Sequence, residues 1–494
     1  MVCSVICGVL SDANLDYGPR RRHVDKLDRD LGRDMTNLST LPQFATWYRK
    51  DQTSLWSYLT LALLFGMRLA SEHTAMLAYI GLGAYALLGR GNAVRALAFS
   101  WLFTLINPGL APEANGVGRY AVLFGAAASA FLHGAVLTVN LKVQRFTALT
   151  MLLGLFLVGH SLLFSPIVDV SVLKAVSWAV AIVTLISCWT GMSPQERDET
   201  TRHLFWGLVL LMLASLPLII SPIGYLRNNW SFQGVLNQPQ VFGTTMALLG
   251  SWATARILAD RNPSWLMIGL PLVCVVLVSA TAARTAGLAL VGAIALSVVL
   301  APLLSGKPVK HLFAGLSSTR VWIVIFGALI VGCALAPFLA EKMNAFVTKN
   351  GGEGSLLDSY TESRSVLVKP MLENIAENPF VGIGFGIGSD YTNMVVERDA
   401  ILGLPTGAAT EKGVTFIAVI EEIGLFGAAL VFFWFVNMVL VCARGGLVPL
   451  TICFTILLFN LGEATFFSPG GMGMLLLIMA TWAYSQGSAE KRHA

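Results

Sequence analysis

Two arginines and a lysine in a largely apolar sequence have side chains suited to binding phosphate. Arg284 lies among small residues in a short gap between apolar runs, and Arg364 and Lys369 precede a glycine run at residues 382–388. A guanidinium fork matches a diphosphate, and glycines let backbone N–H donors approach it closely. The alternatives are that Arg284 reaches lipid phosphates, and that Arg364 and Lys369 lie on an exposed helix face.

A second group of polar residues has side chains that can bind a sugar. Tyr225 and Arg227 are followed by Asn237 and Gln238, which directly precede an apolar run. Amide groups can hydrogen-bond to sugar hydroxyls, so we predict that these four residues bind substrate. The same amides can instead cap a helix by accepting hydrogen bonds from its first N–H groups.

The third group contains carboxylates at the edges of apolar runs. Glu411 and Lys412 precede one run, Glu421 and Glu422 lie inside it, and Glu463 follows the next. Carboxylates at membrane depth are expensive and are usually paired or functional. We predict that Glu463 contacts substrate, and for Glu421 and Glu422 the alternative is an ion pair between packed helices.

The composition indicates whether the elements that position these residues lie in water or in a membrane. The chain has 494 residues, of which 55% are hydrophobic and 12% charged, and its mean hydropathy is +0.69. Soluble domains carry about 25% charged residues, so this chain is predicted to lie in a lipid bilayer. Its net charge of +5 is spread over short polar gaps, which argues against a nucleic-acid partner.

The apolar runs predict an all-α, polytopic membrane protein with about fourteen transmembrane helices. The predicted spans are residues 55–71, 74–89, 92–108, 119–138, 146–164, 171–190, 203–221, 240–258, 264–281, 284–303, 320–338, 414–440, 446–463 and 470–486.

Lysine and arginine predict the orientation of these spans. They are concentrated in the leader at residues 1–54 and in every second gap between spans, whereas the alternate short gaps contain almost none apart from Arg227. The positive-inside rule therefore predicts that both termini are cytoplasmic. The first apolar patch is short and is not followed by a cleavage site, so no cleavable signal peptide is predicted.

These spans divide the chain into five segments. A cytoplasmic leader (1–54) precedes a bundle of about eleven helices (55–338), a large periplasmic loop (339–413), about three further helices (414–486) and a cytoplasmic tail (487–494). The loop contains a predicted amphipathic helix at about 358–376, with Leu367, Met371, Leu372 and Ile375 on one face. Pro370 should kink it or mark its start, and residues 378–379 should end it.

Four of these segments, in order, resemble the O-antigen ligase and Wzy-type polysaccharide polymerase superfamily. Residues 364–388 resemble its stretch from an arginine through Asn-Pro to a Gly-Phe-Gly run, and residues 279–290 resemble its helix start with serine and arginine. Residues 234–243 and 416–427 resemble its Pro-Gln-containing and Glu-Ile-Gly-Leu-containing segments. The resemblance covers roughly residues 200–440.

The resemblance implies a membrane glycosyltransferase of the GT-C type in the bacterial inner membrane, with a periplasmic active site. The implied donor is an oligosaccharide on undecaprenyl diphosphate, and the acceptor is a second glycan. Neither a metal, a nucleotide sugar nor another cofactor is implied, and other polysaccharide export proteins are suggested as partners. Arg284 and Arg364 are then expected to clamp the diphosphate, with Lys369 nearby.

One departure from the family affects the expected base. The ligases have a histidine eleven residues before the glycine that matches Gly424, where this chain has Gly413. The acceptor hydroxyl must lose its proton during attack, so Glu411 or Lys412 would have to supply that function. Glu411 is the first choice, because a carboxylate can accept the proton.

Three functions fit the sequence, and the missing histidine favours glycan polymerisation. The chain could polymerise lipid-linked repeat units, ligate a finished glycan to lipid A core or protein, or transport lipid-linked oligosaccharides as a flippase. Transporters tend to have inverted repeats and polar breaks at the bilayer midplane. We find no internal repeat, and the unusual polar residues lie near one predicted face. A scaffold without activity would leave the arginine matches unexplained.

Overall fold

A computed structural model describes residues 40–113, 116–134, 141–227, 229–334, 336–337, 356–399, 403–408 and 412–489. Side chains are described in these ranges except at 40–54, 141–142, 332, 356–364, 366 and 406–408. The chain divides into two compact units, Met1–Leu63 and Leu64–Ala494. The described part of the first unit is the beginning of one helix. Most of the predicted leader and tail, at 1–39 and 490–494, lies outside the described residues.

The described residues are mostly helical, with very little strand. Its α-helices are α1 (Thr40–Ala70), α2 (Glu72–Ala86), α3 (Arg90–Leu105), α4 (Gly118–Leu132), α5 (Leu141–Phe164), α6 (Val168–Gly191), α7 (Pro194–Ser215), α8 (Pro239–Ala259), α9 (Trp265–Ala280), α10 (Arg284–Leu304), α11 (Val309–Leu312), α12 (Thr319–Ala334), α13 (Leu356–Glu377), α14 (Thr415–Arg444), α15 (Leu447–Phe459) and α16 (Gly473–Ala489). Short 3₁₀ helices lie at Leu216–Ile220, Pro222–Tyr225 and Ala314–Ser317. Strands β1 (Val396–Arg398) and β2 (Pro405–Ala408) form an antiparallel pair.

Local capping chemistry begins several of these helices. Ser71 accepts a hydrogen bond from the backbone N–H of Thr74, whose side chain bonds back to Ser71, forming a capping box before α2. Ser193 caps α7, which begins with Pro194, a residue whose fixed φ suits the first helical position. These caps set the first residues of both helices.

Five helical segments in the described residues are long and apolar enough to cross a bilayer. They are Val143–Phe164, Val168–Gly191, Pro194–Ile220, Arg284–Leu304 and Thr415–Arg444. Shorter apolar helices, such as Trp265–Ala280 and Leu447–Phe459, lie between them in sequence. The all-α class and the membrane-embedded character are therefore confirmed, whereas the number of about fourteen spans stays a prediction.

Several predicted boundaries differ from the observed helix ends. The span predicted at 203–221 begins at Pro194 because Ser193 supplies a cap and the charged turn that follows remains helical. The helix predicted at 358–376 runs through Pro370 from Leu356 to Glu377. Leu372 is exposed and Met371 is fully buried, because successive residues of a helix point about 100° apart. Leu372 therefore does not share the buried face that we predicted for it.

The hairpin of β1 and β2 follows α13 and is tied to the bundle at two points. Arg398 Nη1 lies 2.5 Å from Asp169 Oδ2 at the beginning of α6. Tyr120 donates a hydrogen bond to the carbonyl of Pro405 over 3.4 Å.

Asp390 lies in the segment between α13 and β1. Hydrogen bonds from the side chains of Asn393 and then Thr392 hold the pKa of its carboxyl below the usual range.

Candidate functional site

A broken helix is the centre of the site. Gly424 interrupts α14 with φ 67° and ψ 179°, a conformation that is essentially restricted to glycine. The break leaves the carbonyls of Glu421 and Glu422 without their normal helical donors. Backbone N–H groups of the glycine run replace them: Ile383 donates to the Glu421 carbonyl (2.8 Å) and Gly384 to that of Glu422 (2.9 Å).

Glycine is required where the two segments touch. A Cβ added to Gly424 would stand 2.0 Å from the carbonyl oxygen of Phe380, and one added to Gly382 would stand 2.6 Å from that of Glu421. Gly382 and Gly384 also have left-handed φ values of 76° and 114°. The glycine run therefore packs against the break in α14 and donates hydrogen bonds to the carbonyls there. Its N–H groups at residues 383 and 384 are used in these hydrogen bonds, so they are not available to a diphosphate.

A buried lysine pairs with both carboxylates beside the break. Lys412 Nζ lies 2.7 Å from Glu421 Oε2 and 3.1 Å from Glu422 Oε1, and the three side chains are at most 8% exposed. The angles at Lys412 Nζ lie outside hydrogen-bond geometry, so the attraction is Coulombic. Glu421 and Glu422 are thus ion-paired, as that alternative predicts, but with a lysine that precedes α14 and not with a second packed helix. The Lys412 side chain is enclosed in this conformation.

The remaining oxygens of the two carboxylates bind α13 and the glycine run. Asn374 of α13 donates through Nδ2 to Glu421 Oε1 over 2.7 Å and to the carbonyl of Ser389 over 2.9 Å. The Gly386 N–H donates to Glu422 Oε2 over 2.7 Å. The carboxylates therefore connect α14 to the loop helix and to the glycine run.

Helices α5 and α6 contact the other side of the glycine run. His160 Nε2 donates to the carbonyl of Val381 over 2.6 Å, and Ser171 Oγ donates to that of Phe385. Lys174 packs its side chain against Gly386 and places Nζ 5.6 Å from the centroid of the Phe385 ring. This distance is within the range of cation–π attraction.

Aromatic rings pack beneath the glycine run. Phe385 meets Phe467 edge-on with centroids 5.9 Å apart, and Phe467 lies 5.1 Å from Trp178. Trp434 of α14 is fully buried and packs on Phe466 at 5.9 Å. Each such ring pair stabilises the fold by about 0.5–1.5 kcal/mol beyond the burial of its apolar area. These contacts therefore stabilise the packing around the glycine run.

The turn between α15 and α16 fixes the segment that contains Lys412. Thr415 donates from its backbone to the Asn460 carbonyl (3.0 Å) and from Oγ1 to the Glu463 carbonyl (3.0 Å). The N–H of Ala464 donates to the carbonyl of Lys412 over 3.2 Å. Glu463 is therefore held next to the beginning of α14.

Arg284 begins α10 directly beside this turn. An added Cβ at Gly462 would stand 2.3 Å from Thr285 Cγ2, so Thr285, the residue after Arg284, packs against Gly462. The preceding turn places Ala282, a residue with a Cβ, at φ 53°, an uncommon strained conformation. The predicted start of α10 at Arg284 is confirmed.

The amide-rich segment, which contains Asn237 and Gln238, contacts the turn at residues 280–283 that precedes α10. The N–H of Phe232 donates to the Ala280 carbonyl over 3.0 Å, and an added Cβ at Gly243 would stand 2.7 Å from Thr281 Oγ1. Gln238 occupies the N-cap position of α8 but makes no side-chain capping bond. Asn237 Oδ1 is buried and has no partner among the described residues. Capping therefore does not account for either amide side chain.

Tyr225 and Arg227 lie farther along this segment. The Tyr225 hydroxyl donates to the carbonyl of Ile219 over 3.1 Å, and its ring packs on Phe232 at 5.5 Å. The Arg227 side chain is exposed, while its backbone N–H donates to Gln233 Oε1 over 2.9 Å. Tyr225 therefore has a structural role, and Arg227 is available at the surface.

The structure describes only some of the candidate residues in the large loop predicted at 339–413. Lys369 is exposed on α13. Arg364 lies in the same helix seven residues before the buried Met371, so both positions share one helix face. The Arg364 side chain is not described, and Glu411 lies outside the described residues.

Sequence reasoning missed Lys174, Asn374 and His160. Lys174 was detectable, because a lysine inside an apolar span is rare and usually functional. His160, inside the span predicted at 146–164, was detectable for the same reason, whereas Asn374 carries no such signal, since its partner is 47 residues away. Among the described residues, no cluster of His, Cys, Asp and Glu side chains is arranged to hold a metal ion.

Comparisons with known proteins do not assign this arrangement to a family. No protein-family model matches the chain, and no curated protein matches it significantly.

Proposed function

We propose that this chain is a membrane glycosyltransferase that polymerises oligosaccharide repeat units carried on undecaprenyl diphosphate into a surface polysaccharide or exopolysaccharide. One observation carries the proposal. Four segments that resemble the O-antigen ligase and Wzy-type superfamily are separated in sequence but form one chain of contacts at one end of the helical bundle. Residues 234–243 touch 281–286, these touch the turn at 460–466, and that turn holds the beginning of α14 beside residues 382–388.

The proposed setting is the bacterial inner membrane, with about fourteen spans of the GT-C type and both termini in the cytoplasm. The site would then face the periplasm, where polyprenyl-linked glycans are joined. The alternation of lysine and arginine between the short gaps supports this orientation. The bilayer itself is a partner, because it presents the lipid-linked donor.

Arg284 and Arg364 are the proposed diphosphate ligands. During transfer, the acceptor hydroxyl attacks the anomeric carbon, a new C–O bond forms and the bond to the diphosphate breaks. The leaving diphosphate takes the electron pair, and its growing charge is stabilised by the guanidinium groups. Arg284 is well suited to this role, because it begins α10 next to Thr285, which packs against Gly462, and close to the amide-rich segment.

Glu411 is the proposed acceptor of the hydroxyl proton, and a phosphate oxygen of the substrate is the alternative. Glu411 immediately precedes Lys412, whose backbone is fixed by Ala464. Asn237 and Gln238 are the proposed sugar ligands, because no capping bond occupies their side chains. Arg227, Lys369 and Glu463 extend this surface.

Lys412, Glu421 and Glu422 are proposed to act as positioning residues. They are enclosed, and they join α14 to α13 through Asn374. Since α13 carries Arg364, this network sets the position of one proposed phosphate ligand relative to the bundle. Lys412 therefore supports the site without touching substrate.

The test is a transfer reaction with purified protein and lipid-linked repeat units. Wild-type protein should produce polymer, and Arg284→Ala should reduce the rate at least about a hundredfold, as loss of a transition-state charge ligand does. Arg320→Ala is the matched control, because Arg320 also lies in the first turn of an apolar helix but at the opposite end of the bundle. Equal activity of wild type and Arg284→Ala would reject the proposed clamp.

A further inference from the structure

A lysine inside a spanning helix lies beside the glycine run and has no part in the network described above. Lys174 comes six residues after Val168, the first residue of α6, which is about 9 Å along the helix axis. Helix α6 is long and apolar enough to cross a bilayer. Among the described residues, the Lys174 ammonium has no hydrogen-bond acceptor and no carboxylate within ion-pair distance. An ionisable side chain in such a position is rare and usually functional.

The packing of α6 directs Lys174 toward the glycine run. Ser171 and Trp178 are fully buried or nearly so, and residues three and four positions apart share a helix face with Lys174. Ser171 donates to the Phe385 carbonyl, and Lys174 Nζ lies 5.6 Å from the centre of the Phe385 ring. A Cβ added at Gly386 would stand 3.1 Å from Lys174 Nζ, so glycine at this position leaves room for the ammonium. The ammonium therefore lies on the bundle side of α6.

The ammonium of Lys174 can be reached, whereas that of Lys412 cannot. Lys174 is half-buried and its Nζ keeps accessible surface, while Lys412 Nζ is completely covered. The charges that act on Lys174 are those of Glu422, which attracts it, and Lys412, which repels it. Both oxygens of Glu422 are already in use, because Oε1 lies 3.1 Å from Lys412 Nζ and Oε2 accepts from the Gly386 N–H. The donors of Lys174 therefore remain for an acceptor from outside the protein.

The depth of Lys174 determines which part of a lipid-linked substrate can supply that acceptor. Sugars are hydrophilic and stay outside the apolar core, whereas the phosphate bonded to the lipid lies where the lipid chain enters the bilayer. Phe385, which contacts the ammonium, meets Phe467 with ring centroids 5.9 Å apart, and Gly462 in the same turn packs against Thr285 at the start of α10. A lysine binds phosphate as a compact point charge. The ammonium is thus placed to meet a phosphate that lies next to the proposed clamp.

We propose that Lys174 binds the lipid-proximal phosphate of the donor, the one bonded to the polyprenyl chain. The identity of the lipid rests on the proposed function, whereas the need for an anion follows from the unpaired ammonium. The lipid-proximal phosphate keeps its charge before, during and after transfer, because the bond that breaks is at the glycan-side phosphate. Lys174 therefore binds ground state and transition state equally, which lowers KM without raising kcat. Arg284 and Arg364 act instead on the charge that grows during transfer.

The first test measures binding and needs no transfer reaction. Full-length wild-type and Lys174→Met proteins are compared by equilibrium binding of radiolabelled farnesyl phosphate and farnesyl diphosphate, in dodecyl maltoside micelles and in phosphatidylcholine nanodiscs. We expect Lys174→Met to bind both compounds at least about tenfold more weakly in both media, because a charge-assisted contact is lost. Arg284→Ala should weaken binding of the diphosphate more than that of the monophosphate.

Lys307→Met is the matched control. Lys307 is also half-buried, but it lies at the other ends of α10 and α14, where its Nζ donates to the Gly445 carbonyl over 3.4 Å. This variant should bind both compounds like the wild type. Thermal unfolding without ligand separates binding from a structural role: Lys174→Met should unfold at the same or a higher temperature, because an ammonium without a counter-ion is costly to bury.

Three results would each overturn the proposal. They are unchanged affinity of Lys174→Met for farnesyl phosphate, a lower unfolding temperature of ligand-free Lys174→Met, which would assign the ammonium to Glu422, and an affinity difference that is present in maltoside but absent in phosphatidylcholine. The last result would assign the ammonium to the headgroups of bulk lipid.

The transfer reaction supplies a second, independent measurement. Lys174→Met should raise KM for the lipid-linked donor and leave kcat near the wild-type value, and a fall in kcat at unchanged KM would contradict the proposal. Binding of farnesyl phosphate that depends on Lys174, in a protein that performs no transfer, would retain the phosphate site and reject the proposed function. Transfer by the wild type with unaltered binding to Lys174→Met would do the reverse.

Discussion

Replacing Lys412 by methionine tests the role of the buried ion pairs. Methionine keeps most of the length of the side chain but removes the ammonium group that lies 2.7 Å and 3.1 Å from the carboxylates of Glu421 and Glu422. Removing one partner of a buried ion pair destabilises a protein by about 3–5 kcal/mol, because the other charge stays buried without compensation. Here two carboxylates share the ammonium, so we expect a loss of at least about 3 kcal/mol.

The loss should appear first where α13 meets α14. Asn374 attaches α13 to Glu421, so weakening this junction should expose the bond after Arg364 to trypsin. Thermal unfolding and trypsin cleavage of the purified protein in nanodiscs would be compared for wild type and Lys412→Met. Lys310→Met is the control, because Lys310 is an exposed lysine at the other end of the bundle.

A triple variant without these three charges tests whether the loss of stability comes from the unpaired carboxylates or from the changed packing of the side chain. Lys412→Met combined with Glu421→Gln and Glu422→Gln should recover much of the stability, since replacing a whole buried ion pair is often nearly neutral. Lys412→Met with wild-type unfolding and wild-type trypsin resistance would refute the reasoning. So would a triple variant that is less stable than Lys412→Met alone.

Three further predictions follow from single positions. Gly424→Ala should destabilise the protein by several kcal/mol in thermal unfolding, because its Cβ would meet the Phe380 carbonyl, whereas Gly269→Ala, with open space around it, should be neutral or stabilising. Ala282→Gly should stabilise the protein by about 1 kcal/mol by relieving a left-handed φ; an unchanged or lower unfolding temperature would contradict this strain. Glu411→Gln should reduce transfer more than Lys369→Ala does, and a normally active Glu411→Gln would move the base elsewhere, to substrate phosphate for example.

Local signals account for what the sequence predicted correctly. The start of α10 follows from a short gap of small residues between two apolar runs, and the end of α13 follows from Asn-Pro at residues 378–379. Both depend on residues within one or two turns of the boundary. Pro370 shows the limit of such rules, because α13 continues through it where Asn374 and Met371 fasten the helix to the bundle.

Long-range pairing accounts for what the sequence did not predict. The sequence indicates the glycine run and the Glu-Glu-Ile-Gly segment as two separate candidates. Their connection depends on hydrogen bonds between residues nearly 40 positions apart, such as Ile383 to Glu421. Neither periodicity nor composition records such a pairing. The partner of Glu421 and Glu422 was equally hidden, because Lys412 lies outside the helix that contains them.

The lipid-linked glycan profile of a deletion strain tests the central claim most directly. The glycans would be resolved by size on a gel and identified by mass spectrometry, with wild-type and Arg284→Ala complementation alongside. The account predicts single repeat units on undecaprenyl diphosphate, no long chains, and rescue by the wild type only. Long lipid-linked chains that are not transferred would indicate a ligase, and glycans confined to the cytoplasmic face would indicate a transporter; either result would contradict the account.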